Sequence, residues 1–249
     1  MTILIAGASG ATGRLLVEQL LNRGQQVRAI VRSPERLPDH LRNDANLSII
    51  TASILNLSDA EMAQHVQGCH AVASCLGHNL SFKGLFGQPR KLVTDATRRL
   101  CDAIKANQSA SHTKFVLMNT AGNRNRDLLE PISSAEKGVV GLLRLLLPPH
   151  SDNEAAADYL RTQIGSQDPA VQWVAVRPDG LINQADVTDY TVHPSPIRSA
   201  IFNPGVTSRI NVGAFMAELI TNADLWAQWQ GQMPVIYNNP TSNNEDSKR

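Results

Sequence analysis

Apolar residues fall along the chain in short continuous runs, separated by longer stretches where they recur every three or four positions. The runs are 2–6, 27–31, 47–51, 71–76, 114–118, 173–176 and 233–237. Their continuity predicts strands covered on both faces, because a strand with one wet face alternates apolar and polar residues. Between them lie helical patterns. From Gly13, the residues Leu15, Leu16, Leu20 and Leu21 keep to one face until Gly24 stops the helix. Ser58, three residues before Glu61, makes a capping box that opens a helix over 60–66. Further helices are expected over 91–107, 154–164 and 212–222. Strands alternating with helices imply right-handed βαβ crossovers. The fold class expected is therefore α/β, a Rossmann-type doubly wound parallel sheet with a small C-terminal substrate-side lobe.

Three stretches break the rhythm, 77–90, 124–151 and 180–210, and are expected to be substrate-side insertions in a single domain spanning 1–237. Residues 238–249 are polar and read as a flexible tail. The length of 249 residues, 42% of them hydrophobic and 18% charged, suits such a domain. A net charge of +1 provides no field that would recruit nucleic acid or an acidic membrane surface. The 3 cysteines form no CxxC pair, and the 7 histidines show no zinc-ligand spacing, so no metal is expected and a reducing, cytoplasmic setting is. No apolar run approaches the roughly 20 residues of a membrane span. The run 138–149 is short and interrupted by Arg144, and 2–6 is too short for a signal-peptide core.

Candidate chemistry begins where the first strand meets the first helix, at Gly7-Ala8-Ser9-Gly10-Ala11-Thr12-Gly13. A glycine triplet in this context is the pyrophosphate loop of a dinucleotide-binding βαβ unit. Gly7 permits the tight turn, Gly10 lets the backbone approach the pyrophosphate, and Gly13 allows close helix–strand packing. Ser9, Ala11 and Thr12 complete the loop, whose free N–H groups and helix dipole attract the anion. A Walker loop needs Lys and then Ser or Thr after the last glycine, and here Arg14 follows. NAD enzymes usually carry an acidic residue at the end of the second strand. No Asp or Glu occurs between Glu18 and Glu35; that strand ends in Val31-Arg32-Ser33, with Arg28 and Arg36 nearby. A guanidinium forks onto a 2′-phosphate, so NADP is the expected cofactor, with Arg32 and Ser33 as its ligands. The alternative, arginines on a solvated edge, stays open at this point.

The loop, Val31-Arg32-Ser33, the strand end Cys75-Leu76-Gly77 and Val176-Arg177-Pro178 together resemble the atypical short-chain dehydrogenase/reductases, in particular the NmrA-like and biliverdin-reductase-B-like branch. The segments 156–161 and 207–216 add to the likeness, which covers all but the last dozen residues. The resemblance implies that Ser53 and Ile54 lie beside the adenine, although the family usually has Asp where Ser53 stands. It also implies that Cys75, Leu76 and Gly77 line the cofactor. Asn119 and Thr120 would flank the nicotinamide, and Pro178, Asp179 and Gly180 would border the same ring.

Many members of that superfamily pair a tyrosine acid with a lysine four residues on. Tyr159 is followed by Gln163, Tyr190 by Pro194 and Tyr237 by Thr241, so no such pair exists. Tyr159 reads as an ordinary helix residue. Thr120 is the catalytic candidate, positioning the acceptor through its hydroxyl, with a turn threonine as the alternative. His78 and His150 are further possible acids, or merely solvated loop histidines. The expected function is hydride transfer from NADPH to a small or planar acceptor such as a quinone, flavin or carbonyl compound. A redox sensor that binds NADP without turnover is the second reading, and a sugar-nucleotide-type epimerase the third. The expected partner is a small-molecule substrate, with the protein a monomer or homodimer.

Overall fold

Strands β1 (Thr2–Ala6), β2 (Gln26–Val31), β3 (Leu47–Thr51), β4 (Ala71–Ser74), β5 (Thr113–Met118) and β6 (Val171–Pro178) lie parallel in the order β3-β2-β1-β4-β5-β6. They are seen in a computed structural model that describes residues 1–78, 87–108, 111–130 and 133–240. The sheet continues past β6 with β10 (Val235–Asn238), again parallel, and closes with β8 (Tyr190–His193), antiparallel to β10. The chain winds outward from β1 in both directions. β1 pairs with β2 on one side and β4 on the other, so the strand order reverses there. In sheets of this type a crevice opens at the carboxyl ends of the strands at that switch point.

Both faces are covered, as the continuous apolar runs require. On β1, Ile3 and Ile5 pack with Leu16 and Leu20 of α1 (Gly13–Leu21), Phe215 of α7 (Arg209–Thr221) and Trp226 of α8 (Ala223–Trp229). Leu4 and Ala6 face the opposite layer, with Met62 of α3 (Asp59–Val66), Leu100 and Ile104 of α4 (Leu92–Ala106) and Ala156 of α6 (Pro148–Tyr159). Burial of each large side chain stabilises the fold by about 1.5–3 kcal/mol before entropy is subtracted. A four-residue helix, α2 (Asp39–Arg42), precedes β3. The capping box forms as expected: Ser58 N donates to Glu61 Oε2 at 2.7 Å and Glu61 N to Ser58 Oγ at 3.3 Å.

Several boundaries differ from expectation, each for a physical reason. β4 stops at Ser74 rather than 76, because its neighbour β1 has already turned into the glycine loop. The helix expected over 154–164 starts at Pro148, where the missing proline N–H costs nothing in a first turn. Its last part is a π-helical turn, Leu160–Ile164, ended by Gly165 at φ 66°. The stretch 124–151 is largely helical: it holds α5 (Ser134–Leu146) and the start of α6. Within 180–210, β7 (Gly180–Ile182) and β9 (Val206–Ser208) pair in parallel, whereas β8 returns to the main sheet. The polar tail begins later than 238, since Asn238 belongs to β10 and its Oδ1 accepts from Ser208 N and Asn211 Nδ2. Most of the stretch 77–90 and residues 241–249 lie outside the described residues.

Gly213 lets α7 approach α1: a Cβ there would stand 3.1 Å from Leu16 N and 3.2 Å from Leu15 C. These are backbone atoms that cannot step aside. We expect Gly213→Val to destabilise the protein by about 1–3 kcal/mol through overpacking, read as a lowered urea midpoint with an unchanged slope. An unaltered midpoint would show that the two helices separate freely.

Candidate active site

The crevice at the switch point is made by backbone. Gly7 has φ 77°, and a Cβ on it would fall 2.7 Å from the carbonyl carbon and oxygen of Cys75. A Cβ on Gly13 would fall 2.1 Å from Gly7 O. Neither position accepts a side chain, so the loop lies directly on the end of β4. Gly10 differs: beyond Gly7 O at 3.1 Å, its missing Cβ meets only Cys75 O at 4.0 Å, and the residue lines the cleft. The first turn of α1 has no side-chain cap from Thr12 and no acidic residue. Helix-start N–H groups without a protein cap, next to a loop stripped of side chains, fit a bound diphosphate.

The cleft above this loop brings together Gly7, Ser9 and Gly10 with Arg32, Ser53, Ile54, Cys75, Leu76 and Gly77. Arg36, Leu55, Pro89 and Leu92 join them. Arg36 was legible only as a neighbouring charge and Leu92 only as part of the helix expected over 91–107; Leu55 and Pro89 come from turns that carry no sequence signal. Arg32 and Arg36 are exposed and form no ion pair or side-chain hydrogen bond among the described residues. Arg28 is excluded from this group, since it donates to the carbonyls of His65 and Gln67 at 2.8 and 2.7 Å. Ser33 is half-buried beside Arg32, heading a 3-10 turn over Pro34–Arg36. Ala11 is exposed on the loop, while Thr12 and Gly13 are buried beneath it. Burial pushes the Cys75 thiol up to about 12, so it is no thiolate at neutral pH.

Asn119, Thr120 and Pro178 stand apart from this cleft, at the ends of β5 and β6. The Asn119 amide is occupied by the protein itself: Nδ2 donates to Asn153 O at 2.9 Å, and Oδ1 accepts from Thr120 N at 2.8 Å and from Asn123 Nδ2. Pro178 is buried, and its carbonyl accepts from Ala121 N at 2.9 Å. Thr120 is half-buried, and its Oγ1 accepts from Gly122 N at 3.3 Å. Gly122 makes a notch: Thr120 Oγ1 and His150 Cε1 each lie 3.8 Å from the Cβ that it lacks.

His150 Nε2 is buried without a hydrogen-bond partner, and Glu154 Oε1, at 3.9 Å, is too far to serve. Desolvation lowers its pKa; Glu154 works against that and Arg144 with it. His78 is structural in its contacts. Its Nε2 lies 2.8 Å from Asp152 Oδ2, and Asp152 also accepts from the N–H groups of Val93 and Thr94 at the start of α4. Tyr159 packs with the α4 side of the core, where burial drives its phenol well above the ordinary value.

Residues 7–223 match the model of a family described as NAD(P)H-binding. The chain belongs to the NAD(P)H-binding family. Solved structures share its fold. A short-chain dehydrogenase/reductase from Veillonella parvula DSM 2008, in complex with NADP, has a TM-score of 0.70 at 17% identity, covering 96% of this chain and 95% of that one. An oxidoreductase from Lactococcus lactis has a TM-score of 0.68 at 17% identity, covering 100% and 96%. An uncharacterized chloroplastic protein of Arabidopsis thaliana is 32% identical over 118 residues, 47% of this chain. The match spans only 40% of that relative's length.

A second cavity, of about 600 Å³, lies beside the end of β5. In this member of the NAD(P)H-binding family its shape rests on Arg177, whose side chain is wholly buried. Arg177 Nε donates to Met233 O, Nη1 to Asn123 O and Glu130 Oε2, and Nη2 to Glu130 Oε1 and Pro194 O, at 2.6–3.2 Å. Every donor of the guanidinium is thereby used. The Arg-Pro segment noted in the sequence is thus a structural clamp at Arg177. Removing Glu130 would leave that charge buried and unpaired. We expect Glu130→Ala to cost about 3–5 kcal/mol, measured by urea unfolding followed by circular dichroism; a loss under about 1 kcal/mol would mean that water or another group readily replaces the carboxylate.

Proposed function

We propose that this NAD(P)H-binding protein is an NADP-dependent oxidoreductase that passes hydride to a small or planar acceptor such as a quinone, flavin or carbonyl compound. The observation that carries the cofactor choice is the pair Arg32 and Arg36. Both line the cleft at the end of β2 without a partner among the described residues, and no carboxylate stands where an NAD ribose would be gripped. The glycine loop and the first turn of α1 hold the diphosphate; Ser53 and Ile54 border the adenine; Cys75, Leu76 and Gly77 guide the cofactor toward the ends of β5 and β6.

A reduced nicotinamide, when bound, supplies a hydride. The chain's part is to orient the acceptor and exclude water. Thr120 is the residue proposed to touch the acceptor, because its hydroxyl keeps a free hydrogen while its oxygen accepts from Gly122 N. Tyr159 has no such place: its raised pKa and the absence of a lysine make it a poor acid. The reading treats 1–237 as one cofactor-binding unit working in the cytoplasm, as monomer or homodimer. Among the described residues no helix is long and apolar enough to cross a membrane.

Arg32→Ala is expected to weaken NADPH binding roughly 10- to 150-fold, one charge-assisted contact, while leaving NADH nearly unchanged. Fluorescence titration with both nucleotides measures it, and equal losses would sink the phosphate role. In turnover assays with quinones, flavins and aldehydes, Tyr159→Phe should retain most of the activity, whereas Thr120→Ala should lose roughly 10-fold or more. The reverse pattern would mean that the site is misassigned. Tight NADPH binding with no acceptor turned over would favour the sensor.

A further inference from the structure

The cavity beside β5 shares no lining residue with the cofactor cleft. Its walls come from the loop after β5, from Glu130 and Val140, and from residues 196–201 between β8 and β9. We propose that it binds the acceptor, and that the acceptor is an apolar molecule bearing a carboxylate, gripped by Arg124 and Arg198. The proposal rests on the oxidoreductase reading for the word acceptor, but the binding chemistry follows from the cavity itself.

The cationic balance is set by three side chains. Glu130 is the one acidic residue in the described wall, and its two oxygens are held by buried Arg177 at 2.7 and 3.2 Å, with Asn125 N adding a third bond at 2.8 Å. Its charge is answered from inside the protein. Arg124 donates through Nη2 to Glu130 O, while its Nε is buried and has no partner. Arg198 forms no ion pair among the described residues and rests with its Cζ 6.0 Å from the Tyr237 ring. Asp179 feels its charge, yet the Asp179 oxygens accept from Gly180 N and Gly205 N at 2.9 and 2.7 Å. Arg124 and Arg198 therefore both line the space without a carboxylate partner among the described residues, and a guanidinium's planar fork of donors suits a carboxylate.

Apart from Ser133 and Ser199, the rest of the wall is apolar. Ala121, Val140, Pro196, Ile197 and Ile201 provide it, and Ile197 is 61% exposed at the rim, a large side chain that only an apolar ligand would cover. The arginines do not serve the cofactor's 2′-phosphate, because Arg32 and Arg36 lie in the separate cleft at the end of β2.

Calorimetric titration of the full chain with matched naphthalene probes tests this, with NADP⁺ titrated in parallel. We expect 2-naphthoate to bind roughly 10-fold or more tighter than uncharged 2-naphthamide. Naphthoate should lose about that factor in Arg198→Ala and in Arg124→Ala, and naphthamide should be unaffected. Arg198 is exposed, so its variant stays folded even if Arg124→Ala loosens the Glu130 loop. Equal binding of acid and amide, no binding of either, or indifference to Arg198→Ala would overturn the proposal. Far tighter binding of 2-naphthyl phosphate would overturn the carboxylate in favour of a phosphate ester. NADP⁺ failing to bind while naphthoate behaves as expected would count against the oxidoreductase reading and leave the cavity's chemistry standing.

Discussion

A fully buried guanidinium holds the end of the sheet at β6 and the loops around it together. Arg177 sits in β6 with no solvent contact, and burying such a charge is tolerable only when it is paired and all its donors are used. Its five N–H groups reach Asn123, Glu130, Pro194 and Met233, which belong to three separate segments. The loop after β5, the approach to β10 and the segment leaving β8 therefore take their positions from one side chain. A lysine has no planar fork with which to make these bonds. The cofactor side is built by opposite means. There the protein removes side chains, at Gly7 and Gly13, until two stretches of backbone touch. One cleft is made by a charge and the other by the absence of Cβ atoms.

How far the chain could be read beforehand follows from that contrast. The glycine loop was legible because backbone geometry admits only glycine at Gly7 and Gly13, and the residue type reports the constraint directly. The strands were legible because both faces of the sheet are covered. α5 was not: Gly138 and Gly141 weaken the helical signal, and apolar Leu142 and Leu146 are exposed rather than in the core. The start of α6 was hidden by Pro148 and Pro149, which read as breakers yet are well tolerated in a first turn. β8 was invisible because an edge strand pairing back onto β10 needs only a few residues.

The site follows the same rule. Arg32 could be singled out because a strand end was already in view. The Glu130–Arg177 pair lies 47 positions apart in sequence, and nothing near Glu130 announces a partner. Asn119 and Thr120 were expected side by side at the nicotinamide, and they are adjacent, but their side chains do different work. Asn119 is tied into the buried frame, while the Thr120 hydroxyl stands by the Gly122 notch. Only packing distinguishes two polar neighbours at one strand end.

Asp152 joins elements that otherwise belong to different parts of the protein. One carboxylate caps the start of α4, fixes His78 just past Gly77, and sits on the helix that also carries His150 and supplies Asn153 O to Asn119. The stretch after β4 at Gly77 and the Gly122 notch are thus fastened to the same turn of α6. A displacement of that turn would therefore be felt both at Gly77 and at Asn119. A single carboxylate thereby fixes the walls of two separate clefts relative to one another.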